Sequence, residues 1–152
     1  MESVSRLAQE YAPADVDPVI KNYVAKREMA YRAVFDGMRS AGIQAGDIWS
    51  IALLLWNQAL FFECHEWLEK IWGRSEGSEK EMIQAMIGSA GAYAHLEYGR
   101  TAAAGKLAAR AIVAQKHYRE RVPDLFDVVV LVSKLEALDP VPPKFSKAPP
   151  AR

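Results

Sequence analysis

The sequence lacks three features that mark common classes of protein. It has one cysteine, Cys64, which excludes a disulfide within the chain and is typical of a reducing compartment. Its longest apolar run, residues 51–56, is too short to span a bilayer. Lys plus Arg and Asp plus Glu both number 19, so no excess charge favours nucleic acid or an anionic membrane. We therefore expect a cytoplasmic protein that binds neither membrane nor nucleic acid.

The overall amino-acid composition is that of one folded domain. Of the 152 residues, 51% are hydrophobic and 25% are charged, which excludes a disordered chain and suffices for a single core. A net charge of zero does little to oppose self-association, so a homo-oligomer is a possible state. No feature of the sequence indicates any other partner.

Hydrophobic periodicity predicts an all-α fold. Apolar residues recur at three- and four-residue steps, Pro18 follows the helix-capping residue Asp17, and Gly42 ends the first helix. The valine-rich run 128–132 resembles a strand, but the absence of a partner strand favours a helix. Short loops favour an antiparallel bundle of about five helices, near residues 18–40, 47–72, 78–98, 101–118 and 124–138.

Composition divides the chain into three parts. Residues 1–17 have little periodicity and are predicted to be an N-terminal arm, and residues 18–139 form the helical bundle domain. Residues 140–152 form a proline-rich tail, which is expected to be extended. Both packing along the bundle and recognition by another protein are open roles for this tail.

The segment 61–72 places polar groups among residues that otherwise form the buried face of a helix. Burying such groups is costly unless they find partners, so they form either a functional site or a polar network in the core. An antiparallel helix pair would place Glu69 opposite Gln84 and His65 over Gly88, with Gly88 and Gly91 leaving room for the imidazole. The candidate residues are Glu63, His65, Glu66, Glu69, Gln84 and His95.

At these residues the chain resembles family 309 of the domains of unknown function, a set of small all-helical proteins. The family pattern is F-N-x-G-x-F-F-E-x-H-E-x-L-E-x-x-W, then Q-G-L-I-Q-x-A, a histidine and G-N. Residues 56–72 read WNQALFFECHEWLEKIW, and residues 84–90 read QAMIGSA, followed by His95. Ala59 stands where the pattern has glycine, Gly88 where it has a second glutamine, and Arg100 where it has asparagine. The resemblance implies a helical bundle with these polar residues inside it, and it implies no activity.

Two functions remain open, and so does the question of whether the protein is an enzyme. The first is a binding or scaffolding module with a buried Glu-His-Gln network, no cofactor and no metal. The alternative is a metal-dependent or acid–base hydrolase that uses His65, Glu66 and Glu69, with His95 as a further metal ligand. A functional site should open to solvent, whereas a core network should be dry and hydrogen-bonded, so that Glu69→Ala would cost about 2–4 kcal/mol.

Overall fold

The computed structural model describes residues 17–146, and all regular structure in this range is helical. The all-α prediction is confirmed, since the described residues contain no strand. A single 3-10 turn, Arg119–Arg121, lies between the last two helices. The six α-helices are α1 (Pro18–Ser40), α2 (Ile48–Asn57), α3 (Phe61–Trp72), α4 (Gly77–Leu96), α5 (Thr101–His117) and α6 (Val128–Glu136).

The first helix has the predicted bounds and the predicted ends. The side chain of Asp17 accepts a hydrogen bond from the backbone N–H of Val19 at 2.7 Å, which caps one of the unpaired donors of the first turn. At the other end Gly42 has φ +64°, and Ile43 donates to the carbonyl of Met38 at 2.8 Å. This is the Schellman arrangement, in which a left-handed residue ends the helix.

The prediction of one long helix over residues 47–72 is wrong, because the chain leaves the helix at residues 58–60. Leu60 donates to the carbonyl of Leu55 at 2.9 Å, Ala59 donates to Trp56 at 2.9 Å, and Ala59 has φ +54°. These bonds form a second Schellman motif, with alanine at the left-handed position. Leu55 and Leu60 are both buried, which supplies the apolar contact that accompanies this motif. Helix periodicity gave no sign of the break, because both halves remain apolar.

We expect Ala59→Gly to raise the free energy of unfolding by about 0.5–1 kcal/mol. A side chain in the left-handed region collides with its own backbone, whereas glycine adopts this conformation freely. Urea denaturation of the parent and the variant measures the difference. In the control variant Ala109→Gly, glycine replaces an exposed alanine within α5, which should lower stability by about 1 kcal/mol. Destabilisation by both changes would contradict this account of the break.

The fourth helix occupies the centre of the bundle, with α3 on one side and α5 on the other. Gly88 and Gly91 allow α5 to approach closely. A Cβ atom on Gly91 would lie 3.1 Å from Cδ1 of Leu107, and one on Gly88 would lie 3.4 Å from Cβ of Ala111. The expectation that these glycines leave room for the His65 imidazole is therefore wrong. Their function in packing is to bring two helices together.

The first residues of the predicted tail pack against the helices, so the folded region extends beyond the predicted boundary at residue 139. The indole N–H of Trp56 donates to the carbonyl of Pro143 at 2.8 Å. Asn57 bonds both sides of Phe145, donating to its carbonyl at 2.6 Å and accepting from its N–H at 2.9 Å. Phe145 is itself buried against Trp56 and Phe126. Residues 1–16 and 147–152, which include most of the predicted arm and the end of the tail, lie outside the described residues.

The last helix is shorter than predicted but confirms that the valine-rich run is helical. The prediction was residues 124–138, and the helix spans Val128–Glu136. It begins later because residues 123–126 form a turn, in which Phe126 donates to the carbonyl of Pro123 at 3.0 Å. The side chain of Asp127 then caps α6 through the N–H of Val130 at 3.1 Å. None of the helices in the described range has the length and apolarity needed to cross a membrane.

Candidate functional site

A partly open cavity of about 760 Å³ lies between α1, α3, α4 and the segment that leads into α5. The short loop between α3 and α4 makes these helices an antiparallel pair, which brings their polar residues to the same opening. Glu66 is the one candidate that does not line the cavity, although it lies beside His65. The five candidates in the lining are Glu63, His65, Glu69, Gln84 and His95.

The cavity lining combines apolar and polar surface. Ile87, Ala94 and Leu107 supply an aliphatic part, and Phe62 adds an aromatic ring. Pockets for small molecules have this mixed character, in which apolar surface supplies binding energy and a few polar groups fix orientation. The lining of this cavity therefore differs from the surface of a filled core, which is apolar throughout.

His65 lies between two carboxylates at the edge of this cavity. Its Nδ1 is 3.4 Å from Oε1 of Glu66, and its Nε2 is 3.2 Å from Oε1 of Glu69. Residues four apart on a helix share a face, which explains the second contact. The side chains of Glu66 and Glu69 are 52% and 51% exposed, and that of His65 is 29% exposed.

The expectation of a buried Glu-His-Gln network is wrong. Glu69 and Gln84 are both exposed, and the side chain of Gln84 forms no hydrogen bond with any described residue. The imidazole of His65 lies 3.2 Å from Glu69, whereas the predicted placement of Glu69 opposite Gln84 produces no hydrogen bond between their side chains. The physical reason is that α1 leaves this part of the α3–α4 surface open, so the polar ends of these side chains reach water.

This exposure changes the effect expected of Glu69→Ala. We expect the free energy of unfolding to change by less than about 0.5 kcal/mol, because an exposed pair on one helix contributes little. Thermal and urea denaturation measure the change. A loss of about 2 kcal/mol or more would instead support a buried Glu-His-Gln network that includes Glu69.

A different carboxylate in the cavity is held firmly. Glu63 accepts hydrogen bonds from the guanidinium of Arg27 and the hydroxyl of Tyr31, both on α1. Arg27 also lies over the rings of Tyr23, at 5.6 Å, and Tyr31, at 5.9 Å. The side chains of Arg27 and Glu63 are each 22% exposed. This cluster fastens the middle of α1 to the start of α3.

The electrostatics of the cluster follow from these contacts. Burial raises the pKa of Glu63, but the hydrogen bonds from Arg27 and Tyr31 outweigh it, so that the pKa lies below its ordinary value of 4.5. Burial and the hydrogen bond to Glu63 raise the pKa of Tyr31. Glu63 is therefore an ionised acceptor near neutral pH.

Sequence reasoning missed the contribution of α1 to the site. Tyr23, Arg27 and Tyr31 recur at four-residue steps along α1 and were not candidates for the site, yet Tyr23 and Arg27 line the cavity. The hydroxyls of Tyr23 and Tyr98 lie 3.2 Å apart, which joins α1 to the end of α4. One sequence feature could have indicated this contribution: Arg27 has a tyrosine four residues before it and another four residues after it. A cation on a helix face with aromatic residues requires a carboxylate partner.

Cys64 is excluded as a nucleophile. It is fully buried, and its thiol donates to the carbonyl of Ala52 at 3.5 Å. Burial raises the pKa of the thiol to about 12. Because the thiolate is the reactive form, this cysteine is inert and serves in packing.

A buried polar contact does exist, between α4 and α5. The amide of Gln115 donates to the hydroxyl of Ser89 at 3.2 Å, and both residues are fully buried. Ser89 in turn donates to the carbonyl of Ala85 at 2.8 Å. Neither Ser89 on α4 nor Gln115 on α5 was a candidate, because neither belongs to a distinguishing pattern in the sequence.

The fold and the cavity together define a small helical bundle with an open polar cavity, and comparison with known proteins adds a match to one family model over part of the chain. Residues 49–107 match the family model described as Domain of unknown function (DUF309), which confirms the resemblance inferred from the motif. This segment contains α2, α3, α4 and the first turns of α5, and so most of the cavity. No curated protein and no solved structure matches the chain significantly.

Proposed function

We propose that this protein is a cytosolic binding module whose small-molecule ligand occupies the cavity between α1, α3 and α4. The observation that carries the proposal is the composition of the cavity lining. Five polar residues of the sequence motif face an opening that also has aliphatic surface. A volume of about 760 Å³ lies within the range of cavities that hold small molecules.

The state of the polar groups supports binding over a purely structural role. The carboxylates of Glu66 and Glu69 are about half exposed and so stabilise the core little, whereas charged groups at the edge of a cavity can contact a ligand. One wall is held rigidly, because Glu63 is fixed by two donors from α1. A preorganised wall reduces the entropy lost on binding.

A test of this proposal blocks the cavity. We expect some members of a small-molecule library to raise the melting temperature of the parent by several degrees, since a ligand at 100 times its Kd adds about 2.7 kcal/mol. Ala94→Trp should abolish these shifts, because the indole would occupy the cavity that Ala94 lines. Val113→Trp adds the same group at an exposed position on α5 and should preserve them. Equal shifts in both variants would contradict binding in this cavity.

A second candidate function is a metal-dependent or acid–base hydrolase centred on His65. One ligand atom each from His65, Glu66 and Glu69 lies within 4.8 Å of the others, which is close enough for a shared divalent ion. His95 lines the cavity but lies outside this group among the described residues, so the predicted four-residue set reduces to three. Metal analysis of native protein tests this function: stoichiometric metal that is lost in His65→Ala would favour it over a simple binding module.

A further inference from the structure

The cavity has more acidic groups than its own cations neutralise. Its lining contains three carboxylates, Glu63, Glu69 and Glu97, and two guanidiniums, Arg27 and Arg100. Arg27 is already paired with Glu63. Within residues 17–146 Glu97 has no ion-pair partner, and Glu69 faces only the imidazole of His65. With neutral imidazoles, the lining therefore carries a net negative charge.

Hydrogen-bond acceptors are also in excess. Both α1 donors of the cluster bond to one oxygen of Glu63, Oε1. The other oxygen, Oε2, is buried and accepts no hydrogen bond from a described residue. A buried carboxylate oxygen without a donor is unfavourable, so the lining has more acceptors than its own donors satisfy.

Glu97 supports the same conclusion. It is an exposed residue, yet neighbouring protein atoms desolvate its carboxylate enough to raise its pKa. Arg27 partly opposes this effect, and the like charge of Glu63 adds to it. Desolvation is the largest of these effects, and Arg27, whose attraction for Glu97 exceeds the repulsion from Glu63, is itself bonded to Glu63, so Glu97 has no direct partner among the described residues.

We propose that the ligand of this cavity carries a primary ammonium group on a short apolar body; this inference rests on the proposed binding function. An ammonium group offers three donors and no acceptor, which suits the exposed carboxylates of Glu69 and Glu97 in the cavity lining. The apolar body would contact Ile87, Ala94 and Leu107. Arg100 lies over the ring of Tyr98 at 5.4 Å, and it is the one cation of the lining without a carboxylate partner among the described residues that could favour an anion instead.

Calorimetric titration with three probes of equal length tests the inference. The probes are hexylammonium, 1-hexanol and hexanoate, at one ionic strength. We expect hexylammonium to bind about tenfold more tightly than hexanol, since a charge-assisted hydrogen bond contributes more than a neutral one. Hexanoate should bind most weakly. Added salt should weaken only the binding of hexylammonium.

Carboxamide variants identify the carboxylates involved. Glu97→Gln should lower hexylammonium affinity about tenfold and leave hexanol affinity unchanged. Glu79→Gln removes the same charge from the exposed start of α4, outside the cavity lining, and should change neither affinity. Circular dichroism confirms that both variants fold.

The other outcomes separate this inference from the proposed function. Equal binding of hexylammonium and hexanol, or tightest binding of hexanoate, would overturn the ammonium inference while the cavity remains a binding site. The ammonium inference also fails, and the cavity remains a binding site, if none of the three probes binds but library compounds still stabilise the parent and do not stabilise Ala94→Trp. If no probe binds and no library compound stabilises the parent, the proposed binding function itself is wrong.

Discussion

Replacing Phe145 with alanine is expected to lower the free energy of unfolding by about 3 kcal/mol, the largest effect in this account. Phe145 is only 6% exposed, and its ring packs 5.8 Å from that of Trp56 and 5.3 Å from that of Phe126. Truncation removes this apolar contact and leaves a cavity between α2 and the turn before α6. The backbone bonds of Phe145 to Asn57 hold the tail in place, so the cavity cannot easily collapse.

Urea denaturation of Phe145→Ala measures this loss directly, through the midpoint and the slope. Val141→Ala is the matched control, because Val141 lies in the same tail and is 64% exposed. The control should change stability by less than about 0.5 kcal/mol. A Phe145→Ala protein as stable as the control would mean that the tail does not belong to the core.

Arg27→Met is expected to lower the free energy of unfolding by about 2 kcal/mol near neutral pH. The variant removes the guanidinium that donates to Glu63 and leaves a carboxylate that is only 22% exposed with one donor fewer. Methionine retains much of the apolar stem, so the loss reports mainly on the ion pair. Arg39→Met is the control on the same helix, since Arg39 is 71% exposed and 3.9 Å from Asp36, and it should cost little.

The cost of Arg27→Met should depend on pH in a defined direction. The folded-state pKa of Glu63 lies below the ordinary value of 4.5, so its stabilisation is present above that value and is lost as the pH falls through the folded pKa. The difference between the parent and Arg27→Met should therefore be full near pH 7 and shrink between about pH 5 and pH 3. A difference that stays constant over this range would show that Arg27 acts through packing alone.

The sequence predicted the helices well because their signals are local. Asp17 and Pro18 begin α1, and Gly42 ends it, as capping rules require. The break at Ala59 was missed, because alanine is a good helix former and its left-handed conformation is imposed by the surrounding fold. The noted departure from the family glycine was the one available sign of the break.

The candidate site was predicted in part for a similar reason. His65 and Glu69 share a helix face, so their proximity followed from spacing alone. The partners of Glu63 could not be predicted, since Arg27 and Tyr31 lie on another helix more than 30 residues away. The solvent exposure of His65 and Glu69 could not be predicted either, because it depends on how far α1 covers the α3–α4 surface. The association of Phe145 with Asn57 is long-range in the same way.

An NMR titration of the isotopically labelled protein would show whether a small molecule binds between α1, α3 and α4. The titrant is the library compound that stabilises the parent most strongly. We predict that amide shift changes will concentrate in residues 62–69 and 84–98, which hold most of the cavity lining. Changes confined to a distant surface, such as the basic segment 116–121, with the cavity residues unaffected, would contradict the claim.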